Sequence, residues 1–300
     1  LPPEVVSDIL IHTLPPYPVC PPLTGPASPI ALAHICGTWR EIALSTPQLW
    51  RSIWLRHTDH LQIPIEVVQP WLARSGSCPL SIQIESEQWG ASMTPGPWEA
   101  IRPFIQRSEQ GQLVITATGH MLSFFLKGSM PTLRSLSVAM KNPSLIPPDV
   151  TSLDFPRLRT VSLTWLRYPV DWLPWAQLTS LTFKVMYSPN CIPVLRDAIH
   201  LVDLIIIDCD FTGTANAGDI PLTQLKTLVA TCDVVDILNL LSVPALQTLQ
   251  LYGADLGDEP VGALGSLISR SGFKLQKLRI CGRYRLPVPK ETFLGAFPTI

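Results

Sequence analysis

From Leu133 onward the chain repeats a single pattern, Leu-x-x-Leu-x-Leu with other apolar residues admitted. It occurs at Leu133/Leu136/Val138, Leu158/Val161/Leu163, Leu178/Leu181/Phe183, Leu201/Leu204/Ile206, Leu225/Leu228/Ala230, Leu246/Leu249/Leu251 and Leu275/Leu278/Ile280. Successive first positions are 25, 20, 23, 24, 21 and 29 residues apart. The second half of each pattern has the period of a strand, and helical patterns fall between, at Pro193 to Ile199, Val234 to Leu241 and Val261 to Ile268. A strand, turn and helix every two dozen residues or so has an apolar side that only the next such unit can cover, so the units must stack. Pro298-Thr299-Ile300 repeats Pro131-Thr132-Leu133, which predicts that the array continues beyond Ile300; a start at Leu1 without methionine reads as a fragment.

Ahead of the repeats the apolar spacing is helical. Val5, Val6, Ile9 and Leu10 predict one face of a helix from Pro3 to His12, ended by Leu14-Pro15-Pro16. Ser28 before Pro29 is a good helix start, and Leu32, Ile35, Trp39, Ile42 and Ala43 line one face of a helix running to Ser45. Thr46 precedes Pro47 and is thereby pushed out of the helical region, which stops it. On that face Cys36 reads as a small packing residue. The proline-rich stretch between the two helices, residues 14–29, reads as a loop. After Trp50, strands are predicted at Ile53-Trp54-Leu55, at Leu80 to Ile84 and at Gln112 to Thr116, with a helix over Val67 to Ala73.

Hydrophobic residues make up 46% of the chain and charged ones 15%, the balance of an ordered protein with a neutral surface. A net charge of -1 with no basic stripe argues against nucleic acid, whose phosphates need one. No apolar run exceeds four residues, as at Leu204 to Ile207, so no membrane span is predicted. Cys20, Cys36, Cys78, Cys191, Cys209, Cys232 and Cys281 are odd in number and form no C-x-x-C pair, which reads as reduced thiols in a cytoplasmic or nuclear protein. His57-Thr58-Asp59-His60 is the one local cluster of metal-ligand type; without further ligands nearby it reads as a solvated turn, and no cofactor is implied. No nucleophile elbow, phosphate loop or dinucleotide fingerprint is present, so the reading is not an enzyme.

Leu1-Pro2-Pro3-Glu4-Val5-Val6 with Ile9 and Leu10, then Ile35-Cys36 with Trp39-Arg40, then Leu49-Trp50, resemble the F-box in its fungal F-box-like form. The resemblance covers residues 1–52 and departs from the family in the insert at 14–29 and in Gly37, which replaces the usual basic residue. The repeats in turn resemble leucine-rich repeats; Leu201-x-x-Leu204-x-Ile206-x-x-Cys209-x-Phe211 matches the whole strand-and-turn signature, with cysteine at the ladder position. The implied fold is α/β: a small three-helix head, then an irregular leucine-rich-repeat-like solenoid over residues 53–300 with a parallel sheet on one face and helices on the other. The implied role is the substrate-recognition subunit of an SCF-type ubiquitin ligase. Leu1, Pro2, Val5, Ile9, Leu10, Ile35, Trp39, Leu49 and Trp50 would include the contacts to the Skp adaptor, and through it a cullin. The alternative is a non-catalytic scaffold in which the head only caps the array.

Strand alternation gives the outward residues, which the resemblance places on the substrate face. Ser135, Ser137, Ala139, Thr160, Ser162, Thr164, Ser180, Thr182 and Lys184 are small or polar. Asp203, Ile205 and Ile207, then Val229, then Tyr252 break that trend. They predict an apolar cluster rimmed by Asp203, Lys184, Lys277 and Arg279, the site for a protein substrate.

Overall fold

The computed structural model describes residues 1–57, 65–86, 99, 101–115, 126, 128–140, 154–165, 172–211, 218–231, 235–252, 260–272, 275–281, 291 and 295. Two compact units divide the chain, Leu1–Leu158 and Arg159–Ile300, each a mixed α/β layer of solenoid-like design.

The first unit opens with α1 (Pro3–Thr13), α2 (Pro29–Leu32), α3 (Gly37–Ser45) and a 3-10 turn over Pro47–Leu49. Ser28 caps α2 as its sequence implies, its Oγ accepting from the Ile30 N–H at 3.2 Å. The single helix expected from Ser28 to Ser45 is instead two, because Ala33 to Ile35 turn and Cys36 is fully extended at φ -158°, ψ 172°. The Arg40 Nε donates to the Ala33 carbonyl at 3.1 Å and satisfies the end of α2 that the break frees. Gly37 therefore begins α3 and bends nothing. Cys36 is exposed, which corrects its reading as a packing residue.

Then follow β1 (Ser52–His57), α4 (Ile65–Arg74), β2 (Leu80–Ser86), α5 (Arg102–Gln106), β3 (Ser108–Ile115) and β4 (Ser135–Met140). The strands pair in parallel in that order, with Ile53 beside Ile82, Ile82 beside Gly111, and Gly111 beside Leu136 on the inner side. The repeating sheet thus begins at Ser52, well before the first full Leu-x-x-Leu-x-Leu.

In the second unit β5 (Thr160–Thr164), β6 (Ser180–Lys184), β7 (Asp203–Ile207), β9 (Thr227–Thr231), β11 (Thr248–Tyr252) and β12 (Lys277–Cys281) form a parallel ladder. The short β8 (Ile220–Pro221) and β10 (Leu241–Ser242) form a second, separate ladder. Helices α6 (Ser188–Asp197), α7 (Val235–Leu240) and α8 (Pro260–Ser271) connect the strands. The helix expected to start at Pro193 begins five residues earlier by residue number, since Pro189 and not Pro193 occupies the first turn, where a missing N–H costs no bond. Val161, Leu181, Leu204, Leu228, Leu249 and Leu278 form one in-register inner column. The backbone repeats with them: the carbonyls of Arg159, Thr179, Val202, Lys226 and Gln247, each following a first-position leucine, accept from the next unit at 2.8–3.1 Å.

Candidate interaction surfaces

The head sorts its apolar residues by helix geometry. Val6 and Leu10 are four apart and buried; Val5 and Ile9 form the adjacent column and lie outside, 43% and 38% exposed. Leu1 is 84% and Ile35 55% exposed, Pro2 is exposed and Trp39 half-buried. Leu10, Leu49 and Trp50 are sealed inside. Trp50 is held on both sides: its Nε1 donates to the Ala43 carbonyl at 2.8 Å, and its ring meets Trp71 of α4 edge-on with centroids 5.3 Å apart. Of the residues expected as adaptor contacts, Leu1, Pro2, Val5, Ile9 and Ile35 are therefore open to a partner, while Leu10, Leu49 and Trp50 are buried, and Trp50 joins the head to α4.

The proline-rich insert is bound to the same unit. Pro22 bridges Trp54 of β1, whose N–H donates to the Pro21 carbonyl at 3.2 Å, so the outer edge of β1 is covered. The Tyr17 hydroxyl donates to Glu109 Oε2 at 3.1 Å; Arg134 holds Oε1 at 2.9 Å; the Arg51 guanidinium lies 4.3 Å from the Tyr17 ring centre. Burial, reinforced by the Glu109 carboxylate, pushes the Tyr17 phenol above its ordinary range. Farther along, Ser81 Oγ donates to the Pro18 carbonyl at 2.6 Å and the Cys20 thiol lies 3.3 Å from the Ser81 carbonyl oxygen. Sequence reading found no role for this stretch, since these bonds are to residues 32 to 92 positions away.

On β7 and β9 the outward residues Ile205 and Val229 are paired in register, as alternation requires, with Ile207 at the end of β7. Gln250 follows Val229 in the same row and Arg279 follows Gln250. Tyr252 is paired with Thr231, which serves the turn after β7 by accepting the Asp208 N–H at 3.0 Å. Tyr252 leans back on the Val229–Gln250–Arg279 row, donating to Gln250 Oε1 at 2.8 Å under the Arg279 guanidinium, 5.5 Å from its ring centre. The expected cluster thus has an aliphatic part, Ile205, Ile207 and Val229, and an amphipathic part built on Tyr252. Asp203 and Lys184 are half-buried beside the first; Lys277 and Arg279 are exposed beside the second.

Among the described residues no set of three His, Cys, Asp or Glu could hold a metal; residues 58–60 of the His57 cluster lie outside them. Cys191 is buried against Cys209, and the hydrogen bond between the two thiols, with burial, pushes it up. Cys209 also accepts the Met186 N–H at 3.4 Å, the task of a ladder residue. No described helix is long and apolar enough to cross a membrane. A scan against protein-family models gave no match, and a search of curated proteins gave none.

Proposed function

We propose that the chain is the substrate-recognition subunit of an SCF-type ubiquitin ligase, its F-box-like head docking on the Skp adaptor and its repeats presenting a protein substrate. The observation that carries this is the exposure of Leu1, Val5, Ile9 and Ile35, large apolar side chains on a head that buries Val6, Leu10, Leu32, Leu49 and Trp50. Side chains of that size left open on so small an element suit a partner. Replacing Leu1 and Pro2 together by alanine should cut adaptor and cullin capture at least tenfold and leave the thermal transition in place. Unchanged capture overturns the reading. The Ile205 and Val229 pair supports a substrate site in the second unit; changing both to serine should abolish substrate capture and spare the adaptor complex.

A second reading, a scaffold outside any ligase, draws on the Trp50–Trp71 contact, which makes the head a cap for the first repeat. Copurification separates the two: a scaffold brings down neither adaptor nor cullin.

A further inference from the structure

A groove of about 270 Å³ runs between the insert and the outward face of β2, β3 and β4. Its floor is two in-register rows, Ser81–Gln110–Ser135 and Gln83–Gln112–Ser137. One wall is the backbone and side chains of Pro18, Val19 and Cys20, fixed there by the Ser81 contacts. No lining residue is charged and none is aromatic. Apart from Ser81, whose hydroxyl is taken by Pro18, the polar side chains of the floor have no hydrogen-bond partner among the described residues.

That chemistry excludes several ligand classes. A phosphate or carboxylate needs a cation or a backbone nest, and a basic ligand needs a carboxylate. A nucleobase needs an aromatic or guanidinium plane. What three free carboxamides and two free hydroxyls match is another amide, because each carboxamide offers the acceptor and donors that a peptide group also carries. A charged side chain lowered into the groove would lose water and gain no counter-charge, so charge is selected against. The volume falls just short of the ~300 Å³ at which drug-sized sites begin, enough for a short stretch of chain and not a folded element.

We propose that this groove binds an extended, uncharged polypeptide segment rich in Asn, Gln, Ser or Thr. The site lies wholly in the first unit and includes neither Ile205 nor Val229, and it stands whether or not the head recruits an adaptor.

The test is to pan a phage-displayed library of random dodecapeptides on the full chain and measure the selected peptides in synthetic form. The expected result is a shared charge-free stretch enriched in Asn, Gln, Ser and Thr. Its affinity should fall at least tenfold in Gln83→Ala/Gln112→Ala and in Gln112→Glu, and stay unchanged in Ile205→Ser/Val229→Ser. Gln112 is exposed, so its substitution leaves the fold intact, and an unaltered melting curve for Gln112→Glu confirms it. Selection of charged or purely apolar peptides, recovery no higher than on a blank surface, or equal affinity in the glutamine variants overturns the proposal. Adaptor capture in the same variants should be at the wild-type level, so failure of the groove and failure of the ligase reading are told apart.

Discussion

Gly111 occupies an inner position of β3, between Ile82 and Leu136, where every neighbouring strand supplies a branched side chain. A void of about 20 Å³ lies beside it, lined also by Leu133. A Cβ built on Gly111 would sit 3.4 Å from Leu133 Cδ1 and 3.6 Å from Leu136 Cδ1, ordinary contact distances. Gly111→Ala should therefore stabilise the protein by about 0.5–1 kcal/mol, by filling the void and by restricting the unfolded chain, seen as a raised melting temperature. Tyr17 makes a second prediction at this scale. Its folded pKa is raised above the unfolded value of about 10, so the neutral phenol favours the fold below pH 10, and that contribution is lost as the pH climbs through the folded value. Between pH 9 and 11 the melting temperature should fall more steeply in the wild type than in Tyr17→Phe. Equal slopes would mean that the Tyr17–Glu109 contact does not hold in solution. Neither residue was legible in the sequence: the glycine hid the inner column of β3, and the partner of Tyr17 lies at Glu109.

At the scale of elements, the strands of the second unit were legible because their inner columns are leucine at fixed spacing. The earlier strands were obscured by their first positions. Trp50-x-x-Ile53-x-Leu55 fits the pattern once tryptophan is admitted, and Ser108-x-x-Gly111-x-Leu113 fits it in spacing alone. A further regularity could have found the turns: Met130, Phe155, Trp175, Ala198, Leu222 and Val243 are buried three residues before a first-position leucine whose N–H bonds back to their carbonyls. Helix boundaries were less legible, since apolar spacing carried the helical pattern straight through the extended Cys36. The turns also hold strain. Trp165, Val185 and Asp208 each follow a strand with φ between 51° and 62°. Aspartate tolerates that region; a β-branched valine does not, at a cost of about 1–2 kcal/mol. Val185 is held there by its own N–H, bonded to the Ile207 carbonyl at 2.8 Å. Val185→Asn keeps that bond and should raise the melting temperature, with urea titration giving a gain of about 1 kcal/mol. A loss would mean that the half-buried valine side chain outweighs the strain.

For the molecule as a whole the governing fact is that each described strand of the main sheet pairs with its neighbours in the stack, so stability is a sum of units and nearest-neighbour contacts. The end of such a stack needs a cover, and Trp50 shows how this chain supplies one. It closes the helical head by bonding to Ala43, and it is the first apolar residue of the unit that contains β1, packed on Trp71 and flanked by the Arg74 guanidinium 4.9 Å from its ring. Trp50→Ala should cost about 3–5 kcal/mol by the cavity it leaves. The damage should fade along the chain and not spread evenly, because the insert's contacts reach Ser81 on β2 and Glu109 on β3, and the later strands are joined to the array through pairing with their neighbours. In native-state hydrogen exchange, the β1 and β2 amides should then exchange about 100-fold faster than in the wild type, β4 amides by a smaller factor, and β6 to β11 amides at the wild-type rate. Uniform acceleration from β1 to β11 would mean that the two compact units unfold as one, and would overturn the nearest-neighbour account.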